Sequence, residues 1–413
     1  MFQAARSDYR IPLRAKQRGI ALLVMLALIL VAFTTIAISR LSLNSAEQKA
    51  RAKSRQALFQ AHEAIMAYAI SALPRPDRLS ASPTFLTAVP PGTLPCPDIT
   101  GDGISDPQTG TCPLRRGLFP FITLGIPQPL DSSDSPIWYA IPAEYSGVSS
   151  PLNSSVIPTL TLDGVPVAFI LIAPNQPIPN QVRTGRFPLA TPAVVAQYLE
   201  GENANSSLTT YTDIRDNNPT DVIDYATNDQ VLAESVNTYW VAVEARVLKE
   251  VGDRLREYRN AGCGYPWAAP VGSTNNMPQS TTFAGLLPLA NWNAAGCAGA
   301  TAPAAWVNNH WRTLLYYAIC LGPATTLPNP TLSPCLELDV DGDNNDAEAI
   351  VISPGVALLG QNRLLPTPPA FPLVNTLLEG ENIFTNAPSD NRFLKTKPVN
   401  HSGTFNDLIH IVR

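Results

Sequence analysis

Asp98-Ile-Thr-Gly-Asp-Gly-Ile-Ser-Asp106 is the stretch whose residue types and spacing best suit chemistry. Asp98, Thr100, Asp102 and Asp106 stand at positions 1, 3, 5 and 9 of a calcium loop, Gly103 falls at the sharp turn of position 6, and Ile104 supplies the carbonyl of position 7. A hard cation needs that many oxygens converging on a tight turn. The departures are Thr100 at position 3 and Thr109 where a bidentate Glu would stand at position 12. A second acidic stretch, Asp339-Val-Asp-Gly-Asp-Asn-Asn-Asp-Ala-Glu348, offers Asp339, Asp341, Asp343, Asn345 and Glu348 as ligands, with its Gly displaced. Both stretches are read as candidate Ca2+ sites, and for both the plain alternative is a solvated cluster of Asx turns.

Little else points to catalysis. The four His, at 62, 310, 401 and 410, are not paired at ligand spacing; His62-Glu63 begins an H-E-x-x-H motif that Met66 ends. No nucleophile elbow, P-loop or dinucleotide fingerprint occurs. Leu199-Glu-Gly-Glu-Asn203, repeated as Leu378-Glu-Gly-Glu-Asn382, invites an acidic-site reading. A short capped helix accounts for it better: Thr191-Pro192 is an N-cap followed by Pro at the first helical position, Gly201 suits a left-handed C-cap, and Pro372 and Gly380 bracket the second copy. Six Cys with no C-x-x-C argue against a thiolate metal site and for three disulfides in an oxidising compartment. Proximity favours Cys96–Cys112, Cys263–Cys297 and Cys320–Cys335 among the fifteen possible pairings.

The elements that must carry these residues begin with Lys16-Gln17-Arg18-Gly19 running into Ile20–Ile38, a stretch without a charge. As a helix it would span roughly 28 Å, the thickness of a bilayer core. Arg6, Arg10, Arg14, Lys16 and Arg18 against Asp8 alone would hold the N-terminus in the cytoplasm. From Arg40 the pattern stays helical, with no Gly or Pro before Pro74, and Leu58, Ala61, Ile65, Ala69 and Ala72 form one stripe. An ordinary secretory signal would end in a small-x-small site, which Ile36-Ala-Ile-Ser39 fits poorly; an unprocessed signal anchor is the other bland reading.

Basic leader, Gly19, Ile20-Ala-Leu-Leu-Val-Met-Leu and the unbroken helix after it resemble the class III signal and spine of the type IV pilin and type II secretion pseudopilin family. The resemblance covers about the first seventy residues. It implies cleavage between Gly19 and Ile20 by prepilin peptidase, methylation of the new N-terminus, and other major and minor pilins or pseudopilins as partners. Pilins usually carry Glu at the fifth mature position, where this chain has Val24; that absence is typical of the K-type minor pseudopilin and some minor pilins.

The remainder reads as a duplication. Gly117-Leu-Phe-Pro120 is echoed by Gly285-Leu-Leu-Pro288, Tyr139-Ala-Ile141 by Tyr317-Ala-Ile319, and Ile172-Ala-Pro-Asn175 by Ile352-Ser-Pro-Gly355. Gln181-x-Arg183 and Gln361-x-Arg363, the Leu-Glu-Gly-Glu-Asn motifs, and Asn228-Asp229 and Asn406-Asp407 follow in the same order, at offsets between 168 and 180 residues. A second amphipathic helix, Val236 to about Arg259, opens copy two, and apolar runs at 136–141, 165–172, 311–321 and 349–352 read as strands of antiparallel sheets.

The expected fold class is therefore α+β: an N-terminal transmembrane and amphipathic helix followed by two tandem pilin-like domains, each a helix on an antiparallel sheet. The boundaries are leader 1–19, long helix 20–72 with its span at 20–38, first domain 73–235 and second domain 236–413. Removing residues 1–19, with five basic residues and one acidic, takes the net charge from −5 to −9, which excludes a nucleic-acid partner. The expected function is a minor pilin or pseudopilin, a structural subunit at or near the tip of a type IV pilus-like filament, aiding the initiation of assembly and presenting its second domain for adhesion to a surface or host ligand that the sequence does not name. It would be anchored once in the inner membrane with its globular part in the periplasm before reaching the filament tip. The alternative is a membrane-anchored exported binding protein or hydrolase outside any filament.

Overall fold

The computed structural model of the chain describes residues 17–71, 90–107, 111–146, 151–183, 190–205, 207–213, 229–260, 264–271, 276–279, 282–289, 307–320, 336–340, 343–358, 361, 378, 382, 392–395 and 406–412, with backbone alone at 17–22, 36–45, 308–309, 337–340, 343–346, 392 and 394–395. In chain order the elements are α1 (Gln17–Ile70), β1 (Arg116–Leu118), α2 (Phe121–Leu124), β2 (Trp138–Ala140), β3 (Thr161–Leu162), β4 (Val165–Ala173), α3 (Pro192–Tyr198), β5 (Thr210–Tyr211), β6 (Gln230–Ser235), α4 (Val236–Tyr258), β7 (Ala284–Leu286), β8 (Tyr316–Ile319), β9 (Leu336–Val340), β10 (Asp343–Ala347), β11 (Ala349–Ser353), β12 (Arg392–Lys395) and β13 (Leu408–Val412).

The strands that carry the repeated motifs pair in the same order and register in both halves. Gly117 faces Tyr139, Tyr139 faces Leu171 and Leu171 faces Leu232 across β1, β2, β4 and β6. Gly285 faces Tyr317, Tyr317 faces Val351 and Val351 faces His410 across β7, β8, β11 and β13. Both glycines are required by a close approach. A Cβ at Gly117 would sit 2.5 Å from the backbone oxygen of Asp98, and one at Gly285 would sit 2.1 Å from that of Ala269, so any side chain would push a crossing backbone away.

Two expectations are corrected here. The fold is mixed α/β, not a helix followed by two tandem antiparallel domains. The first sheet has six strands and curls: β4 pairs with β2, β3 and β6, with a bulge between Val167 and Phe169, and β5 joins β3 in parallel. A separate three-stranded sheet has order β10-β9-β12, with β12 parallel to β9, beside the four-stranded sheet β13-β11-β8-β7. Parallel pairing becomes possible because β5 and β12 return only after connections long enough to cross over. The halves also do not have separate cores. One apolar cluster joins Leu58, Ile65, Tyr139 and Phe169 to Trp240, Trp311, Tyr317, Val351 and Val412. A smaller cluster on the other face of the first sheet holds Trp138, Ile170, Ile172, Val195 and Tyr198. Burial on both faces is why Val165–Ala173 reads as one nearly continuous apolar run instead of an alternation.

The second correction concerns the membrane. Among the described residues no helix is long and apolar enough to cross one, which conflicts with the single-pass inner-membrane anchoring expected from Ile20–Ile38. The apolar part of α1 whose side chains are described runs over 23–35, about 20 Å of helix against a hydrocarbon core of about 30 Å. Leu23, Val24, Met25, Leu26, Leu28, Ile29, Leu30, Val31 and Phe33 are all exposed there. The later part of α1 behaves differently: Leu58, Ala61, Ile65 and Ala69 of the stripe that the spacing indicates are buried against the sheet and α4, with Ala57 beside them, while Ala72 lies outside the described residues.

α4 starts where β6 stops. Ser235, the last residue of β6, is its N-cap, with Oγ accepting the Thr238 amide at 3.0 Å. The helix then packs against β4 and β6 of the first sheet and β11 and β13 of the second. Trp240 lies at that junction. Its indole donates to Tyr145 Oη at 2.8 Å, and its ring meets those of Tyr145 and Trp311 edge-on. We expect Trp240→Ala to cost about 3–5 kcal/mol. Because the core is shared, the loss should affect both halves together: denaturant transitions followed by fluorescence and by far-UV circular dichroism should shift by the same amount and remain coincident. Two separated transitions would argue for two cores.

Candidate metal centre

The loop 97–107 is held from three sides. Asp98 exchanges two backbone hydrogen bonds with Leu118 of β1, at 2.9 and 2.7 Å. The amide of Ile122 in α2 donates to the carbonyl of Gly103 at 2.8 Å, and Ser105 N donates to Thr123 Oγ1 at 2.8 Å. The Cys96–Cys112 disulfide closes the segment, and a loop of that length is worth about 3 kcal/mol by restriction of the unfolded chain. Gly103 has φ +83°, and a Cβ there would lie 2.4 Å from the Phe121 ring, so the turn needs glycine on both counts.

Within this frame one oxygen from each of Asp98, Asp102 and Asp106 lies within 4.8 Å of the others. Asp98 is buried. Its carboxylate accepts the amides of Gly101 and Gly103, both at 2.6 Å, and that of Thr100 at 3.1 Å. Asp106 Oδ2 accepts from Ile99 N, Thr100 N and Thr100 Oγ1 at 2.8–3.0 Å, and Asp102 Oδ1 accepts Ile104 N at 2.8 Å. Burial raises the Asp98 carboxyl above its ordinary value, the charges of Asp102 and Asp106 add to that, and the Gly103 and Gly101 amides oppose it. The arrangement is an Asx-turn cluster, and it gathers three acidic oxygens where a divalent cation could bridge them. Of the sequence candidates, Thr100 is spent on Asp106, and Thr109 lies outside the described residues.

The second acidic stretch does not form such a loop. Its backbone runs as the β9–β10 ladder, with Asp339 opposite Asn344, Asp343 opposite Val340 and Asn345 opposite Leu338. Asp341 lies outside the described residues. Glu348 is committed elsewhere, to an ion pair with Arg259 at 2.7 Å. Nor is this hairpin the counterpart of the first loop. The backbone crossing that Asp98 makes with Leu118 is made in the other half by Ala269 with Leu286, and no carboxylate stands there. Of the remaining cysteines, Cys320 is disulfide-bonded, while Cys263, Cys297 and Cys335 lie outside the described residues. Gly19 and Ile20 fall within the backbone of α1.

The first Leu-Glu-Gly-Glu-Asn motif departs from the capped-helix expectation; Pro372 and Gly380, which bracket the second, lie outside the described residues. α3 does begin at Pro192 after Thr191, but it ends at a Leu199 C-cap, and Gly201, at φ +52°, opens a 3-10 turn instead. That turn brings Asn203 to Asp229, whose Oδ2 accepts Asn203 Nδ2 at 3.3 Å and the Glu200 amide at 3.1 Å. In the second half Asn382 Nδ2 donates to Asp407 Oδ2 at 2.9 Å. The motif thus ties itself to the Asn-Asp pair that precedes the last strand of each half. The Gln-x-Arg motif is also a fastening. Gln181 closes a turn on Ile178, Gln361 closes the same turn on Leu358, and Arg183 donates to the carbonyls of Asn175, Pro174, Gln197 and Tyr198.

One pairing had no signal in the sequence. His62 of α1, where the sequence showed only a broken H-E-x-x-H motif, has its Nε2 2.6 Å from Glu234 Oε2 of β6, and that hydrogen bond raises the imidazole pKa above its ordinary value despite the opposing effect of burial.

The chain matches no protein-family model, no curated protein and no solved structure.

Two outcomes are expected. If calcium bridges Asp98, Asp102 and Asp106, a melting scan of the protein with calcium at a hundredfold over its Kd should show a gain of about 2.7 kcal/mol relative to chelator. Asp102→Ala, at an exposed position, should erase most of the difference, and identical curves with and without chelator would leave only the Asx-turn reading. The second outcome concerns Asp229, which burial, together with the Glu200 charge, pushes up to about 8. An unfolded Asp titrates near 3.9, so between about pH 4 and 8 the folded state holds the extra proton, and stability falls as pH rises through that window by up to about 1.4 kcal/mol per unit. Asp229→Asn should flatten that slope and exceed the native protein in stability at pH 8, read from urea midpoints at a series of pH values.

Proposed function

We propose that the chain is a structural and interaction protein, a filament subunit of the minor pilin or pseudopilin kind, with no catalytic role. The observation that carries this reading is the divided character of α1. Its later part is buried against the body through one stripe, whereas over 23–33 large apolar side chains are exposed at nearly consecutive positions and therefore on every side of the helix. A helix that is apolar all round belongs in an interior. A single partner would cover one face and leave the others wet, so a bundle of like helices from neighbouring subunits suits it better.

Val24 refines the position. A fifth-residue Glu in this family is thought to meet the N-terminal amine of an adjacent subunit, and an unpaired charge in apolar surroundings costs several kcal/mol. Val24 neither makes nor needs that contact. A subunit with nothing above it can dispense with it, and a body of three sheets is awkward to repeat along a tightly packed shaft. The reading is therefore a low-copy subunit at or near the tip, with other pilins or pseudopilins below it and prepilin peptidase as its processing partner.

The decisive test is the mature N-terminus. Mass spectrometry should find the chain beginning at Ile20, N-methylated, in cells that contain prepilin peptidase, and retaining its leader in cells that lack it. Gly19→Arg should give the unprocessed form in both. A mature protein that begins at Met1, or beyond Ser39, would remove the ground for a pilin.

A further inference from the structure

A cavity of about 270 Å³ opens between α1 and β6. Its walls include Val231 and Leu232, neighbours that a strand directs to opposite faces: Leu232 packs with the α1 side of the sheet and Val231 with the α3 side. A space lined by both must lie along the edge of the strand. β6 pairs with β4 on one edge, and its other edge has no strand partner among the described residues. In an antiparallel pair alternate residues turn their N–H and C=O away from the partner, so β6 turns toward this cavity a row of backbone donors and acceptors that no described residue meets.

The side chains around it complete the groove. Leu58 and Phe59 of α1 form an apolar wall facing the strand. Arg55, one turn earlier, lines the same cavity, and its guanidinium forms no hydrogen bond or ion pair with a described residue. Gln230 Oε1 is buried beside it without a hydrogen-bond donor. Asp213 closes the remaining side and has interactions of its own, including a hydrogen bond that its backbone N–H donates to Asp163 Oδ2 at 3.2 Å. The site thus supplies one uncompensated cation, one unused acceptor, a free strand edge and an apolar wall. The volume lies at the lower end for ligand pockets, which run from about 300 to 1,000 Å³, and suits the end of a peptide better than a cofactor.

We propose that this groove binds the C-terminal end of an extended polypeptide, which adds a strand to β6, sets an apolar side chain against Leu58, Phe59 and Leu232, and places its terminal carboxylate on Arg55. The occupant follows from complementarity. Only an extended backbone uses the open edge, an incoming N–H satisfies Gln230 Oε1, and a carboxylate meets the free guanidinium in a charge-assisted pair. The proposal is independent of the filament reading, since the groove belongs to the body and the buried part of α1.

A display library of random hexapeptides with free C-termini, panned against the full chain and against Arg55→Glu, tests it. Arg55 is exposed, so the substitution leaves the core intact. The native chain should enrich peptides sharing an apolar C-terminal residue, and the variant should not. Synthetic copies of the enriched peptides should bind by fluorescence anisotropy, lose about tenfold or more in affinity when the carboxylate is amidated, and slow hydrogen exchange at Gln230–Leu232. Enrichment no better than that of Arg55→Glu, equal binding of the amides, or binding without protection of β6 would each overturn the proposal.

Discussion

The rest of the structure depends on the burial of α4 between two sheets. Tyr239 and Trp240 are its anchors: the Tyr239 hydroxyl donates to the carbonyl of Gly92 at 2.8 Å, its ring stacks on Tyr145 at 5.4 Å, and Trp240 reaches Tyr145 on one side and Trp311 on the other. Aromatic side chains bury much apolar area each, and the polar ends of Tyr239, Trp240 and Tyr145 have partners here, so desolvating them costs little, whereas the buried Trp311 Nε1 has no partner among the described residues. Without that junction each half would present an apolar sheet face to water. With it, α1 has a surface to lie on, β6 has a fixed position at the start of α4, and the loop of Asp98 is held through β1.

Much of this organisation was legible in the sequence because the repeated residues are those that a ladder cannot vary freely. Gly117 and Gly285 recur because a backbone oxygen crosses above each. Tyr139 and Tyr317 recur because each is buried in the shared core. What was not legible depended on contacts between distant parts of the chain. Nothing local marks β5 and β12 as parallel additions, since parallel pairing is set by the path of a long connection. The Leu-Glu-Gly-Glu-Asn motif has the composition of a helix end, and the partner that gives it another use, Asp229, is buried from a different segment. His62 and Glu234 are likewise joined only by the docking of α1 on β6. The membrane expectation rested on the hydropathy and length of the uncharged run and on the basic residues before it, and an apolar run does not by itself distinguish a segment surrounded by lipid from one surrounded by other helices.

The two halves show how a common frame diverges at its loops. The crossing before the first strand is kept in both, but one copy places Asp98 there and gathers two more carboxylates, Asp102 and Asp106, around it, while the other places Ala269. The second half instead adds the β9–β10 hairpin and ties Glu348 to Arg259 beyond α4. The carboxylates of the first loop are satisfied largely by their own loop's amides, a local solution for the charges on a loop that β1, α2 and the Cys96–Cys112 disulfide hold in place. Asp229 is the opposite case. It draws hydrogen bonds from a separate turn and is desolvated by the sheet, so its protonation is a property of the assembled structure.

An open strand edge is a hazard, because it will accept any extended chain, and the way β6 is guarded says which chains it admits. The strand is short, and it carries an inward charge, Glu234, which would oppose indiscriminate pairing if left alone. His62 neutralises that charge from α1, and since the pairing raises the imidazole's proton affinity, the ion pair persists to higher pH than a free histidine would allow. The protected end of β6 therefore lies beneath the helix at Glu234, and the accessible end lies at Gln230–Leu232, where Arg55 waits. α1 thus blocks one end of the edge and supplies the recognition group at the other. Selectivity at this edge follows from the docking of a single helix and needs no separate loop or lid.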